Sequence, residues 1–123
     1  MDGNRNMDAF SRKIIPRNTM IFEEGDIATC AYLLKSGKVE ITTYHDGKRV
    51  LLATILPNQI FGELALIDNS PRSATATTAA SSEVIFVKPE DIERRMENLD
   101  EFMKYWVAYL TERIRNLSKR VRD

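Results

Sequence analysis

From Lys13 to Lys88 the apolar residues come in short runs cut by turn signals, the pattern of an all-β sandwich or barrel. Met20-Ile21-Phe22 ends at Glu23-Glu24-Gly25-Asp26, and Ala31-Tyr32-Leu33-Leu34 runs into a second turn at Lys35-Ser36-Gly37-Lys38. Val39-Glu40-Ile41-Thr42-Thr43-Tyr44 alternates with period two, which puts Val39, Ile41 and Thr43 on one face. Asp46-Gly47 is a strong hairpin signal, and Arg49 to Leu56 supplies the returning strand. Ile60-Phe61, Ser73 to Thr78 and Glu83 to Lys88 read as further strands.

Beyond Pro89 the period becomes helical. Pro89 suits a first helical turn, and Glu90 and Asp91 complement its positive end. A break near Asn98 precedes a second helix, along which Leu99, Met103, Trp106, Leu110, Ile114, Leu117 and Val121 form a continuous apolar stripe. Residues 1–12 are polar and mixed, and are expected to be a mobile segment with a short helical piece around Met7-Asp8-Ala9-Phe10. The chain therefore divides into residues 1–12, a β domain over 13–98 and a C-terminal helix over 99–123.

Composition narrows the functional classes. A chain of 123 residues suits one domain with a single core. Lys and Arg number 18 against 18 Asp and Glu, so no net charge draws the chain to nucleic acid or an anionic membrane. One cysteine, Cys30, permits no internal disulfide, and with the single histidine, His45, it supplies no zinc cluster. Apolar runs such as Val50-Leu51-Leu52-Ala53 fall far short of the ~20 residues of a spanning helix, and Met1 to Asn6 leads into no secretory signal. A cytoplasmic location is the expectation. No nucleophile has an evident base and orienting partner, so no enzyme activity is expected.

The candidate chemistry lies between Phe61 and Thr75. Gly62-Glu63 heads a helix-compatible run, Leu64-Ala65-Leu66-Ile67, and Asp68-Asn69-Ser70-Pro71 then turns into Arg72-Ser73-Ala74-Thr75. A glycine ahead of a short helix lets an anion approach backbone N–H groups, and Arg72 adds a bidentate partner for phosphate. The Glu63 carboxylate accepts hydrogen bonds from a hydroxyl. Together these describe a pocket for a sugar phosphate.

Phe61 to Leu66 and Pro71 to Thr75 resemble the phosphate-binding cassette of cyclic nucleotide-binding domains, as in kinase regulatory subunits, cyclic-nucleotide-gated channels and catabolite activator proteins. Ile14-Ile15-Pro16, Ile21 to Asp26, Tyr32 to Val39 and Asp46-Gly47 extend the resemblance over roughly Phe10 to Arg115. It implies a mainly β fold with flanking helices: a jelly-roll-like double-stranded β-helix, or β-roll, with a short cassette helix and C-terminal helices. It also implies that Glu63 accepts the ribose 2′-hydroxyl and Arg72 pairs with the cyclic phosphate. Backbone N–H groups near Ala65 and Ser73 would hold phosphate oxygens. Gly62 would keep the approach open, with Phe61, Leu64 and Ala74 in the same cassette. The implied ligand is cAMP or cGMP without a metal. A threonine at the place of Ser73 often accompanies cGMP preference, so serine there leaves the choice open, and cAMP is the expected ligand. Asn18 and Asn58 stand where many relatives have glycine, and asparagine tolerates the left-handed turns required.

In the family, the segment after the β-roll moves over the ligand, and Arg113 corresponds roughly to a lid arginine of some members. The same helix could pair with its copy in a homodimer, although the step from Leu110 to Ile114 departs from a strict heptad. No recognition helix follows it before Asp123, so nucleic-acid binding is not expected, and the effector is unidentified. The competing classes are a dimerising interaction module that needs no nucleotide, and a regulatory piece of a larger channel, kinase or transcription regulator. More ordinary roles are assigned to His45 as a solvated turn residue, Cys30 as a buried inert thiol, and Tyr105, Trp106 and Tyr109 as packing residues. The basic residues of the last turns are read as a solvated helix end.

Overall fold

The period-two segments form two four-stranded antiparallel sheets in a computed structural model that describes residues 11–122, with side chains through Leu117. The strands are β1 (Ser11–Ile15), β2 (Met20–Phe22), β3 (Ala31–Ser36), β4 (Val39–His45), β5 (Lys48–Ile55), β6 (Ile60–Phe61), β7 (Thr75–Thr78) and β8 (Ser82–Val87). Helix α1 (Glu63–Asp68) lies between β6 and β7, and α2 (Pro89–Met96) and α3 (Glu101–Arg122) follow β8. One sheet has the order β1-β8-β3-β6 and the other β2-β7-β4-β5. This is the β-roll with a short internal helix and C-terminal helices that the family resemblance implied.

Alternation explains the core. Tyr32 and Leu34 on β3 and Val84 on β8 meet Val39 on β4 and Ala76 on β7, with Cys30 and Phe61 completing the cluster. The left-handed turns form as expected: Asn18 and Asn58 have φ of 62° and 72°. Thr78, fully buried, fastens the β1–β2 turn by donating to the Pro16 carbonyl at 2.6 Å and accepting from the Thr19 N–H at 2.9 Å.

Two boundaries differ from expectation. Ser11 pairs opposite Phe86 and Arg12 opposite Ile85, so both belong to the sheet and not to the leading segment. The helical piece expected around Met7 to Phe10 lies outside the described residues. The strand expected from Ser73 begins at Thr75.

Helix α3 departs more from the sequence reading. It packs against α1, where Arg115 bonds the Ile67 carbonyl, and its half-buried residues Met103, Val107, Thr111 and Arg115, spaced by four, share one face. The apolar stripe is covered only at its start: Leu99 and Met103 are half-buried, whereas Trp106, Leu110 and Leu117 are 49 %, 43 % and 52 % exposed. Tyr105 and Tyr109 are exposed as well, so the packing role expected for the aromatic residues is not met within this chain. No helix among the described residues is long and apolar enough to cross a membrane.

Candidate functional site

The short helix α1 is set by its two ends. Gly62, its N-cap, has φ 76°, and Asn69 closes it at φ 56°, with Ser70 N–H donating back to the Ala65 carbonyl at 3.0 Å. A Cβ on Gly62 would stand 3.0 Å from both the Arg72 guanidinium and the Tyr32 ring, so the residue there must be glycine for space as well as for φ. The chain returns from α1 through Pro71 to Arg72. The Arg72 backbone is paired on both sides with the β2–β3 loop: its N–H donates to the Asp26 carbonyl, and its carbonyl accepts from the Gly25 N–H, both at 2.8 Å.

The Arg72 side chain is the buried charge of the molecule's concave face, at 4 % exposure. Nη1 donates to the Gly62 carbonyl at 2.5 Å and Nη2 to the Cys30 carbonyl at 2.6 Å. The guanidinium lies 4.2 Å from the ring centroid of Phe22 and 5.5 Å from that of Tyr32. Those rings belong to an aromatic group in which Tyr32 stacks on Phe61 at 5.1 Å and meets Phe86 edge-on at 5.0 Å. Burial pushes the Tyr32 phenol well above its ordinary pKa, so it remains neutral beside the arginine. The Nε of Arg72 is buried without a hydrogen-bond partner. Arg72 thus keeps one under-satisfied, charged donor for an anion that reaches it.

A cavity of about 290 Å³ opens over Arg72. Phe61, Gly62, Glu63, Leu64, Ala65, Arg72, Ser73 and Ala74 all line it, so the cassette residues expected from the sequence come together in one place. Four lining residues lie outside the residues expected: Phe22 from β2, Ile41 from β4, Ile55 from β5 and Ile60 from β6. Ile41 was visible as one face of an alternating strand, but alternation alone cannot separate a cavity wall from a core position. The result is an amphipathic hollow. Arg72, Glu63 and Ser73 supply a polar end that matches phosphate and hydroxyl, and Ile41, Ile55, Ile60 and Leu64 supply an aliphatic wall suited to a flat ring.

Arg113 is not part of this arrangement. It is exposed on α3, bonded to the Tyr109 hydroxyl at 2.9 Å. Arg115 is the arginine that reaches the cassette, donating from Nε to the Ile67 carbonyl at 2.8 Å and pairing with Glu112 at 2.9 Å. Residues two apart face different sides of a helix, so both arginines cannot point the same way. Ile67 is an acceptor because it lies in the last turn of α1, whose carbonyls have no partner further along the helix. Among the described residues, no group of three or more His, Cys, Asp or Glu is placed to hold a metal.

Comparison with known proteins agrees with this geometry. Residues 12–98 match the family described as the cyclic nucleotide-binding domain. The Cyclic AMP receptor protein of Thermus thermophilus is 33% identical over 107 residues, which cover 86% of this chain and 50% of the relative. The chain thus spans about half the length of that curated relative. Among solved structures, a half-site-occupied form of an EAL enzyme aligns with TM-score 0.83 and 29% identity, covering 89% of this chain and 98% of that one. A cAMP-bound form of the enzyme aligns with TM-score 0.69 and 28% identity, covering 91% of this chain and 30% of that one.

Proposed function

The chain belongs to the cyclic nucleotide-binding domain family, and from that premise we propose that it is a cAMP sensor that binds its ligand without turning it over. The observation that carries the proposal is Arg72, which lines the cavity, is held in place by the Gly62 and Cys30 carbonyls, and keeps a buried, unpaired Nε. In this reading the cyclic phosphate sits on Arg72, and Glu63 accepts the ribose 2′-hydroxyl. The purine lies against Ile41, Ile55 and Ile60. The choice of cAMP follows the likeness to the Cyclic AMP receptor protein of Thermus thermophilus; the aligned enzyme has both cAMP-bound and cGMP-bound forms, and serine at position 73 leaves both nucleotides open. A cytoplasmic location, where the Cys30 thiol stays reduced, completes the proposal.

Occupancy reaches α3 through α1. A ligand that draws in Glu63 and Ala65 moves the helix whose last turn is bonded to Arg115, and the population shifts by the difference in affinity between the two arrangements. The exposed stripe of α3 supports a homodimer formed through that helix, a dimer that serves an effector of unidentified type. We assign no nucleic-acid contact to this chain, whose formal net charge is zero. The role of the longer protein that would contain such a domain, whether channel, kinase or transcription regulator, follows the same logic of release or closure on binding.

The same stripe favours a second reading, a dimerising module that takes no nucleotide. Calorimetric titration with cAMP, cGMP and 5′-AMP, with solution mass measured before and after, separates the two. The sensor reading expects heat with cAMP, less with cGMP, and the ligand recovered intact. Absence of heat and of any melting shift with both cyclic nucleotides leaves only the interaction module.

The ribose role has its own check. Glu63→Gln should weaken cAMP by about tenfold, the scale of a lost charged hydrogen bond, and should leave 2′-deoxy-cAMP nearly unchanged. Equal losses for the two ligands remove Glu63 from contact with the sugar.

A further inference from the structure

We propose that Tyr32 is a positioning residue for the nucleotide: its ring fixes the Arg72 guanidinium, and it acts on the ligand only through that arginine. The inference rests on the cAMP reading above and assigns a role to a residue outside the cavity lining.

Arg72 depends on support from elsewhere. It lies between α1 and β7 in a stretch that is neither helix nor strand, at the end of a side chain with several rotatable bonds. Tyr32 stands where the chain is firmest. It is on β3, paired opposite Phe61 of β6 on one side and Phe86 of β8 on the other, and is 5 % exposed.

The groups that hold the guanidinium converge on this one ring. Phe22, whose ring centroid is 4.2 Å from the guanidinium, stacks on Tyr32 at 5.6 Å. Gly62, whose carbonyl accepts from Nη1, has its Cβ position 3.0 Å from the Tyr32 ring. Cys30, whose carbonyl accepts from Nη2, is two residues before Tyr32 in the chain. The Tyr32 ring itself lies 5.5 Å from the guanidinium, and its phenol stays neutral, so it offers the cation a π face and no counter-charge. Phe22, Gly62 and Arg72 line the cavity and Tyr32 does not, so its influence on a nucleotide passes through them. A planar fork binds phosphate well only at a set angle, and the angle is what this ring supplies.

Calorimetry with cAMP on a double-substitution cycle tests this. Tyr32→Leu, checked for folding by thermal melting, should weaken cAMP about tenfold, and Tyr32→Phe, which keeps the ring, should stay within about twofold of wild type. In an Arg72→Lys background, where a compact ammonium has no fork to orient, Tyr32→Leu should cost less than about threefold. Equal losses in the two backgrounds make Tyr32 a packing residue and overturn the inference while the cAMP reading stands. A folded Tyr32→Leu variant that binds cAMP as the wild type does overturns it too. Should Tyr32→Leu fail to fold, Tyr32→Met, unbranched and closer in volume, takes its place in the same cycle with the same outcomes. Absence of heat with cAMP in the wild type overturns the cAMP reading and this inference together.

Discussion

Arg72→Ala should weaken cAMP binding by about 1.5–3 kcal/mol or more, roughly ten- to a hundredfold, because it removes a charged, two-pronged donor from an anion. The substitution also acts on the empty site. It strips the Gly62 and Cys30 carbonyls of their donors at 2.5 and 2.6 Å and leaves a hollow beside the Phe22 ring. Part of the measured loss will therefore be disorder of the cassette. Arg72→Lys separates the two contributions, since it keeps the charge and a stem against Phe22 while losing the planar fork. Calorimetry on both variants, with folding checked by thermal melting, should place lysine between arginine and alanine. Equal affinity of wild type and a folded alanine variant would show that the phosphate sits elsewhere.

Arg72 was legible in the sequence because its neighbours are short, local and chemically distinctive. The turn residues were legible for a similar reason: Asn18 and Asn58 mark left-handed backbone through their own conformational tolerance. The aliphatic wall was hidden. Ile55 and Ile60 come from separate strands and look like core residues until the sheets are assembled. Ser11 and Arg12 become strand only by pairing with β8, far along the chain, and no local property of two polar residues announces that partner.

The side of α3 that meets α1 is the clearest case of missing information. Helical periodicity says which residues share a face but not which face finds a neighbour. The half-buried row ends in Arg115, whose bond to Ile67 depends on a carbonyl exposed only because α1 stops at Asp68. Arg113 lies two residues away and was equally plausible by composition. From Trp106 to Leu117 the stripe therefore remains open, and the half-buried face with Met103, Thr111 and Arg115 is the covered one.

Gly37→Ala should cost about 3 kcal/mol or more of folding stability, the largest loss expected from adding a single methyl group to this chain. Gly37 makes the turn from β3 to β4 at φ 98°, a conformation in which an L side chain is strained. It is also crowded: a Cβ there would stand 2.6 Å from the Ser81 carbonyl oxygen and 2.7 Å from the Ser82 Cα. Backbone cannot yield as a flexible side chain can. Moving it would disturb Ser82, fully buried, whose hydroxyl donates to the Ala80 carbonyl at 2.7 Å and accepts from the Lys38 N–H at 3.2 Å. Gly25 is the internal control, with a similar φ of 94° and nothing within 4 Å of the added carbon. Gly25→Ala should therefore lose only the conformational part, about 1–2 kcal/mol. Denaturant melts of the two variants measure the difference. If both fall by the same amount, strain at positive φ accounts for everything, and the contact of this turn with Ser81 and Ser82 contributes nothing.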